Sequence, residues 1–216
     1  MRKLLMLSFL ALSVMVAQTA FAQNDTKAKA ILENVSKKVK AMKSLKANFQ
    51  IKVAAAKGKT ETKKGTLAMK GDKYFVELGG QQIICDNKTV WTFMKAENEV
   101  QVNNYNPNEQ TISPAKLFTN FYDKEYSYKY IGTRKVNGKD CDIVELTPTG
   151  GKAKQFSKIE LAVDKNSQLV GGNIWEKNGN KFEYSVSNFT PNAPVTDAMF
   201  IFDAKKHPGV EVVDMR

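Results

Sequence analysis

Between Ala28 and Leu45 the apolar residues recur with helical spacing. Ala28, Ile31, Leu32, Val35, Val39, Met42 and Leu45 fall within an arc of roughly 140° when successive residues are set 100° apart. Lys29, Lys37, Lys40 and Lys43 fill the other side, and Asn24, Asp25 and Thr26 offer N-caps just ahead. The spacing predicts one amphipathic helix, and its apolar stripe needs a surface to lie on.

From Phe49 onward the period changes from 3.6 to 2. Phe49, Ile51 and Val53 alternate with Gln50 and Lys52, and a Lys57-Gly58-Lys59 turn leads to a strand with Leu67 and Met69. Tyr74, Val76 and Leu78 share the next face. Gly79-Gly80 and Asp86-Asn87 then turn the chain into Gln81 to Cys85 and Thr89 to Met94, and Glu97-Asn98 opens a strand with Val100 and Val102. Tyr126, Tyr128 and Tyr130 begin a second series. Asn137-Gly138 is the clearest two-residue hairpin signal. Cys141 to Leu146, the alternation of Ile159, Leu161 and Val163, Leu169 to Trp175, and Phe182, Tyr184 and Val186 complete it. About eleven strands are predicted, without a linker or internal repeat.

The alternation breaks once, between Asn106 and Asp123. Ser113-Pro114 is a helix-start signal, and Leu117, Phe118 and Phe121 follow on one side of the short helix it predicts. A small closed barrel fills its own interior and has no room for such helices. The pattern therefore predicts a mainly β domain, a strongly curved antiparallel sheet covered by helices. Its concave face would carry Phe49, Ile51, Leu67, Met69, Trp91, Phe93, Ile159, Leu161, Phe182 and Tyr184. Either that face is packed solid, or incomplete filling leaves an apolar cavity, the usual form of a site for a lipophilic ligand. In the second case Leu67→Glu is expected to abolish ligand binding and leave the fold largely intact.

Residues 1–22 are read outside this domain. Arg2 and Lys3 precede an uncharged, mostly apolar run from Leu4 to Ala17, and Ala20-Phe21-Ala22 is an A-x-A cleavage site, the features of a signal peptide. The run is short for a membrane span, and no Cys follows it for lipid attachment. A soluble periplasmic chain, Gln23 to Arg216, is expected. It carries 31 basic residues against 22 acidic, and its only arginines are Arg134 and Arg216. Base readout leans on Arg, so nucleic acid is an unsuitable partner; a solvated lysine surface, or attraction to an anionic lipid surface or acidic partner, suits the charge.

Catalytic chemistry finds few residues. His207 is the single His, no Gly-rich phosphate loop occurs, and Cys85 and Cys141 have neither metal-site spacing nor a His beside them. No enzyme activity, metal or cofactor is expected. The two cysteines are either a disulfide, which export permits, or two buried thiols.

Several stretches resemble one family. Asp86-Asn87-Lys88-Thr89-Val90-Trp91-Thr92-Phe93 resembles the D-G-K-x-φ-W-x-Y/F hairpin of the periplasmic carriers that ferry lipoproteins to the outer membrane, the LolA family. Gln155-Phe156 through Asp164 resembles its following strand. Asn188-Phe189, Asn192, Val195-Thr196-Asp197-Ala198-Met199-Phe200 and Pro208-Gly209-Val210-Glu211-Val212 fall in its order, and Ile31 to Leu45 leading into Phe49 looks like its first helix and strand. The resemblance implies an unclosed β-barrel with a helical lid over a hydrophobic cavity. It implies a monomeric carrier that takes lipoprotein acyl chains from an inner-membrane transporter to an outer-membrane receptor. The alternative is an envelope module of the same fold that senses lipids or lipoproteins. One departure stands out: the family's K-R-P segment reads Lys70-Gly71-Asp72 here, without the Arg that helps hold the lid.

Overall fold

The computed structural model describes residues 25–106, 126–149 and 155–216. The short helix expected after Ser113-Pro114, with Leu117, Phe118 and Phe121, lies outside the described residues. Helix α1 (Thr26–Lys40) is followed by β1 (Leu45–Ala54), β2 (Thr60–Lys70), β3 (Lys73–Leu78), β4 (Gln81–Cys85), β5 (Thr89–Met94) and β6 (Glu99–Asn104). The second series is β7 (Tyr126–Val136), β8 (Lys139–Pro148), β9 (Phe156–Asp164), β10 (Leu169–Glu176), β11 (Lys181–Pro191) and β12 (Glu211–Asp214), with 3-10 turns at Asp197–Phe200 and Ala204–Lys206.

All twelve strands form one sheet in the order β12-β6-β5-β4-β3-β2-β1-β11-β10-β9-β8-β7. The two series meet at β1, which pairs with both β2 and β11. β7 and β12 are left as edges, so the sheet is not closed. The expected count of about eleven strands misses β12, which is also the exception to antiparallel pairing, lying parallel to β6. Four residues near the C-terminus give too short a pattern to read as a strand. The Asn137-Gly138 signal does form the β7–β8 turn, with φ of 50° and 77°, the left-handed pair that a two-residue hairpin requires.

Helix α1 stops at Lys40, five residues before the periodic pattern ends, and Leu45 opens β1 instead. Tertiary contacts end it. The Lys43 amide donates to Asn192 Oδ1 at 2.9 Å, the Asn192 amide to the Ser44 carbonyl at 2.7 Å, and the Ser44 hydroxyl to the Ala193 carbonyl. These bonds draw residues 43–45 into the sheet beside the end of β11. At the other end Asp25 caps the helix, accepting from the amides of Lys27 and Ala28 at 2.8 and 3.1 Å. Its second carboxylate oxygen accepts from the Tyr130 amide at 3.2 Å, and its own amide donates to the Tyr128 carbonyl. One residue thus caps α1 and blunts the exposed edge of β7, where a bulge at Tyr130 to Gly132 already breaks the ladder.

α1 buries Ala28, Leu32 and Val35 and rests on β7 and β8, in one core with Tyr126, Tyr128, Val144 and Leu146. The convex side has its own covers. Phe200 is fully buried under the C-terminal segment, which lies against β3 and β4. A smaller cluster of Cys141, Ile143, Ala162 and Val170 packs on the convex side of β8 to β10.

The cysteines are therefore two buried thiols. Cys85 belongs to the concave core, Cys141 to the convex cluster, and neither is bridged. Burial pushes both thiols up from their ordinary range. Thiol labelling without reductant should find no reactive cysteine in the native chain and two after unfolding; a chain still unlabelled when unfolded would mean a disulfide.

The convex face of β7 to β10 also carries two buried carboxylates. Burial pushes the Glu160 carboxyl up, but Arg134 at 3.0 Å and Lys158 at 3.3 Å outweigh it and hold it below its ordinary value of 4.5. Burial acts the same way on Asp164 and is outweighed by the Gln168 amide at 3.0 Å, Lys139 at 3.1 Å and the Asn166 amide at 2.9 Å, which hold it below 3.8. Both groups are more acidic folded than unfolded. Their contribution to stability is full above the ordinary carboxylate values and is lost as the pH falls through the lower folded ones. Urea midpoints should therefore drop below about pH 4, and Glu160→Gln should remove part of that slope. An unchanged slope would mean the pair does not couple to folding.

Candidate functional site

A helix of fifteen residues spans only about 22 Å, too little to cover the concave face of a twelve-stranded sheet. The concave face holds a cavity of about 970 Å³, at the upper end of the range for small-molecule sites. Side chains from nine strands, β1 to β6 and β9 to β11, face it, so the sheet wraps around one space.

Pairing register explains why these side chains converge. Phe49 and Ile51 on β1 lie opposite Val186 and Tyr184 on β11, and Tyr184 and Phe182 lie opposite Gly172 and Ile174 on β10. Gly172 and Ile174 lie opposite Leu161 and Ile159 on β9. Every one of these residues lines the cavity, as does Leu67. The ring of Phe49 lies over Gly65 across β2, where a Cβ would come within 2.4 Å of it. Gly172 leaves a gap at the centre of the wall. A Cβ there would sit 2.2 Å from the Glu160 carbonyl, so any side chain would force β9 and β10 apart.

Seven of the sequence-nominated residues line the space: Phe49, Ile51, Leu67, Ile159, Leu161, Phe182 and Tyr184. Three do not. Met69 is buried in the core beyond the cavity. Trp91 and Phe93 point the other way, because Val90 and Thr92 are the β5 residues that face the cavity. Phe93 instead packs against Phe202 and His207, at ring-centroid distances of 5.3 and 4.3 Å. β5 is apolar on both faces because both are covered, and alternation alone then cannot choose between them. The convex cover is the C-terminal segment, whose turn at Asp197 is tied to the β2–β3 hairpin by Lys70 and Lys73, both at 3.2 Å. Lys70 and Lys73, at the two ends of that hairpin turn, thus hold the convex cover.

Tyr74, Val76, Leu78, Ile83, Phe156 and Ile174 are in the wall as well. The alternation of Tyr74, Val76 and Leu78 was visible; their proximity to Phe182 depends on how far the sheet curls.

The wall is polar only in places. Thr92 and Asn103 face the cavity from β5 and β6, and Glu176 stands at the end of β10 beside Phe156. Burial, with the charge of Glu176 behind it, pushes the Tyr184 phenol up to about 12, so this hydroxyl stays protonated and can donate a hydrogen bond. Among the described residues no cluster of three His, Cys, Asp or Glu side chains could hold a metal, and no helix is long and apolar enough to cross a membrane. The arrangement can enclose an apolar molecule of substantial size.

The chain is similar to several known proteins. The family model for "Outer membrane lipoprotein carrier protein LolA" matches residues 40–203. An uncharacterized protein of Methanocaldococcus jannaschii is 28% identical over 186 residues, 80% of this chain and 50% of that protein. The chain thus spans about half the length of this curated relative. An uncharacterized conserved protein from Thermus thermophilus superimposes with a TM-score of 0.59 at 13% identity, covering 87% of this chain and 99% of that one, which shows a shared fold. A LolA superfamily protein from Nitrosomonas europaea gives 0.45 at 16% identity, covering 82% and 98%.

Proposed function

The chain belongs to the outer membrane lipoprotein carrier protein LolA family, and from that premise we propose that it is an exported carrier that shields lipoprotein acyl chains in its concave cavity. The observation that carries this reading is the cavity of about 970 Å³ walled by Phe49, Ile51, Leu67, Ile159, Leu161 and Phe182. An acyl chain loses about 0.8 kcal/mol for every methylene exposed to water. A carrier between two membranes must supply a comparable apolar surface at every step of the transit. An unclosed sheet suits loading and release, since its two edges, β7 and β12, are not joined by backbone hydrogen bonds. The inner-membrane transporter and the outer-membrane receptor of the proposal are the donor and acceptor that such transit requires.

The test is purification of the chain from the envelope of its own host, followed by mass spectrometry of what is bound and of the intact chain. The expected result is a mature chain beginning at Gln23, with acylated lipoprotein or lipid released on extraction, and delivery of that lipoprotein to outer-membrane vesicles. A chain that comes away empty and transfers nothing would overturn the proposal.

A further inference from the structure

The cavity's few charges run against the charge of the whole protein. The chain carries a net charge of +11, yet among the described residues that line the cavity there is no Lys or Arg, and the two charged residues are Glu160 and Glu176. Their carboxylates serve different faces. Glu160 directs its carboxylate to the convex side, onto Arg134 and Lys158. Glu176 lines the cavity at the end of β10, where a register irregularity after Trp175 sets it opposite Phe156 of β9. It is held at the β10–β11 turn by the side-chain amides of Asn178 at 2.8 Å and Asn180 at 3.0 Å.

The lysines paired to this end of β10 are turned away. Lys158 and Lys181 both lie opposite Trp175, whose side chain alternates to the convex face. Their ammonium groups sit 4.1 and 5.2 Å from its ring. Lys63, opposite Ile51 on β2, has Glu61 at 3.9 Å as its partner. The field of Glu176 reaches into the cavity, since it contributes to the raised phenol of Tyr184.

We propose that the cavity selects its ligand by headgroup charge, taking acyl chains joined to uncharged or cationic headgroups and disfavouring those ending in carboxylate or phosphate, with Glu176 setting the preference. This inference rests on the carrier reading and names the chemistry of its ligand. A carboxylate beside a low-dielectric cavity repels an incoming anion far more than the same charge does in open water. The lysine surface outside, screened by salt over about 8 Å, suits attraction to anionic membranes, and among the described residues no lysine lines the cavity; Lys63, on the same face as Ile51, is offset there by Glu61. A carrier so built can rest on an anionic bilayer without filling with fatty acid or phospholipid.

The test uses the exported chain and N-phenylnaphthylamine, a neutral fluorophore that brightens in apolar sites, displaced by laurate or by lauryltrimethylammonium at pH 8. Net protein charge alone predicts that laurate wins. Glu176 predicts the reverse, with the cation displacing the probe at about tenfold lower concentration, and Glu176→Gln, with each displacement referred to the variant's own probe affinity, should reduce that ratio severalfold. Laurate competing as well as the cation, or an unaltered ratio in Glu176→Gln, would overturn the selection by charge. A probe that fails to enter at all would instead remove the carrier reading beneath it.

Discussion

Ile51→Glu should abolish binding of an acyl probe and leave the chain folded. Ile51 is half-buried at the middle of β1, facing the cavity between Tyr184 on β11 and Lys63 on β2. The introduced carboxylate would sit across the ladder from the Lys63 ammonium, an opposite-charge pair that the empty protein tolerates. An acyl chain entering the cavity would strip water from that carboxylate, and the desolvation cost falls on binding, about a hundredfold or more in affinity. Probe titration and thermal melting check the two halves together, with the melting temperature expected to move by only a few degrees. If the variant still binds the probe, acyl chains do not occupy this space. The same change at Leu67 is now expected to behave differently. Leu67 lines the cavity but is only 8% exposed and belongs to the core, so Leu67→Glu should unfold the chain and cannot isolate binding.

The second large effect is expected on the opposite face. Phe200 is fully buried beneath the C-terminal segment, where its turn meets β3 and β4. Truncating it leaves a void where the turn packs against β3 and β4. Phe200→Ala should cost about 3–5 kcal/mol, lowering the melting temperature by roughly 10 °C in a domain of this size. The ion pairs of Asp197 with Lys70 and Lys73 lie at the surface and offset little of it. Probe affinity measured well below the melt should be unchanged, since Phe200 is not a residue of the cavity wall. A variant that melts normally would show that the cover contributes no stability; one that melts low and also loses probe would show the two faces are coupled.

What the sequence by itself determined is the set of elements and the side of most strands. The change of period at Phe49, the hairpin at Asn137-Gly138 and the alternation of Phe182 and Tyr184 are local facts. Local sterics and the two-residue repeat of a strand carry them into structure unaltered. A sheet buried mainly on one face also broadcasts that face, which is why Phe49, Ile51, Ile159 and Leu161 were legible as its concave side. Only the tertiary structure decided the rest. α1 ends at Lys40 because Asn192, 149 residues beyond Lys43, takes the Lys43 amide, and no helical periodicity records that bond. Trp91 and Phe93 face outward, on the side where Phe202 and His207 return to cover Phe93. A strand buried on both faces has no polar side to orient it. Glu160 and Glu176 are both glutamates in strands of the same sheet. The Glu160 carboxylate is turned onto Arg134, 26 residues away on β7, whereas that of Glu176 is held by Asn178 and Asn180 in its own turn.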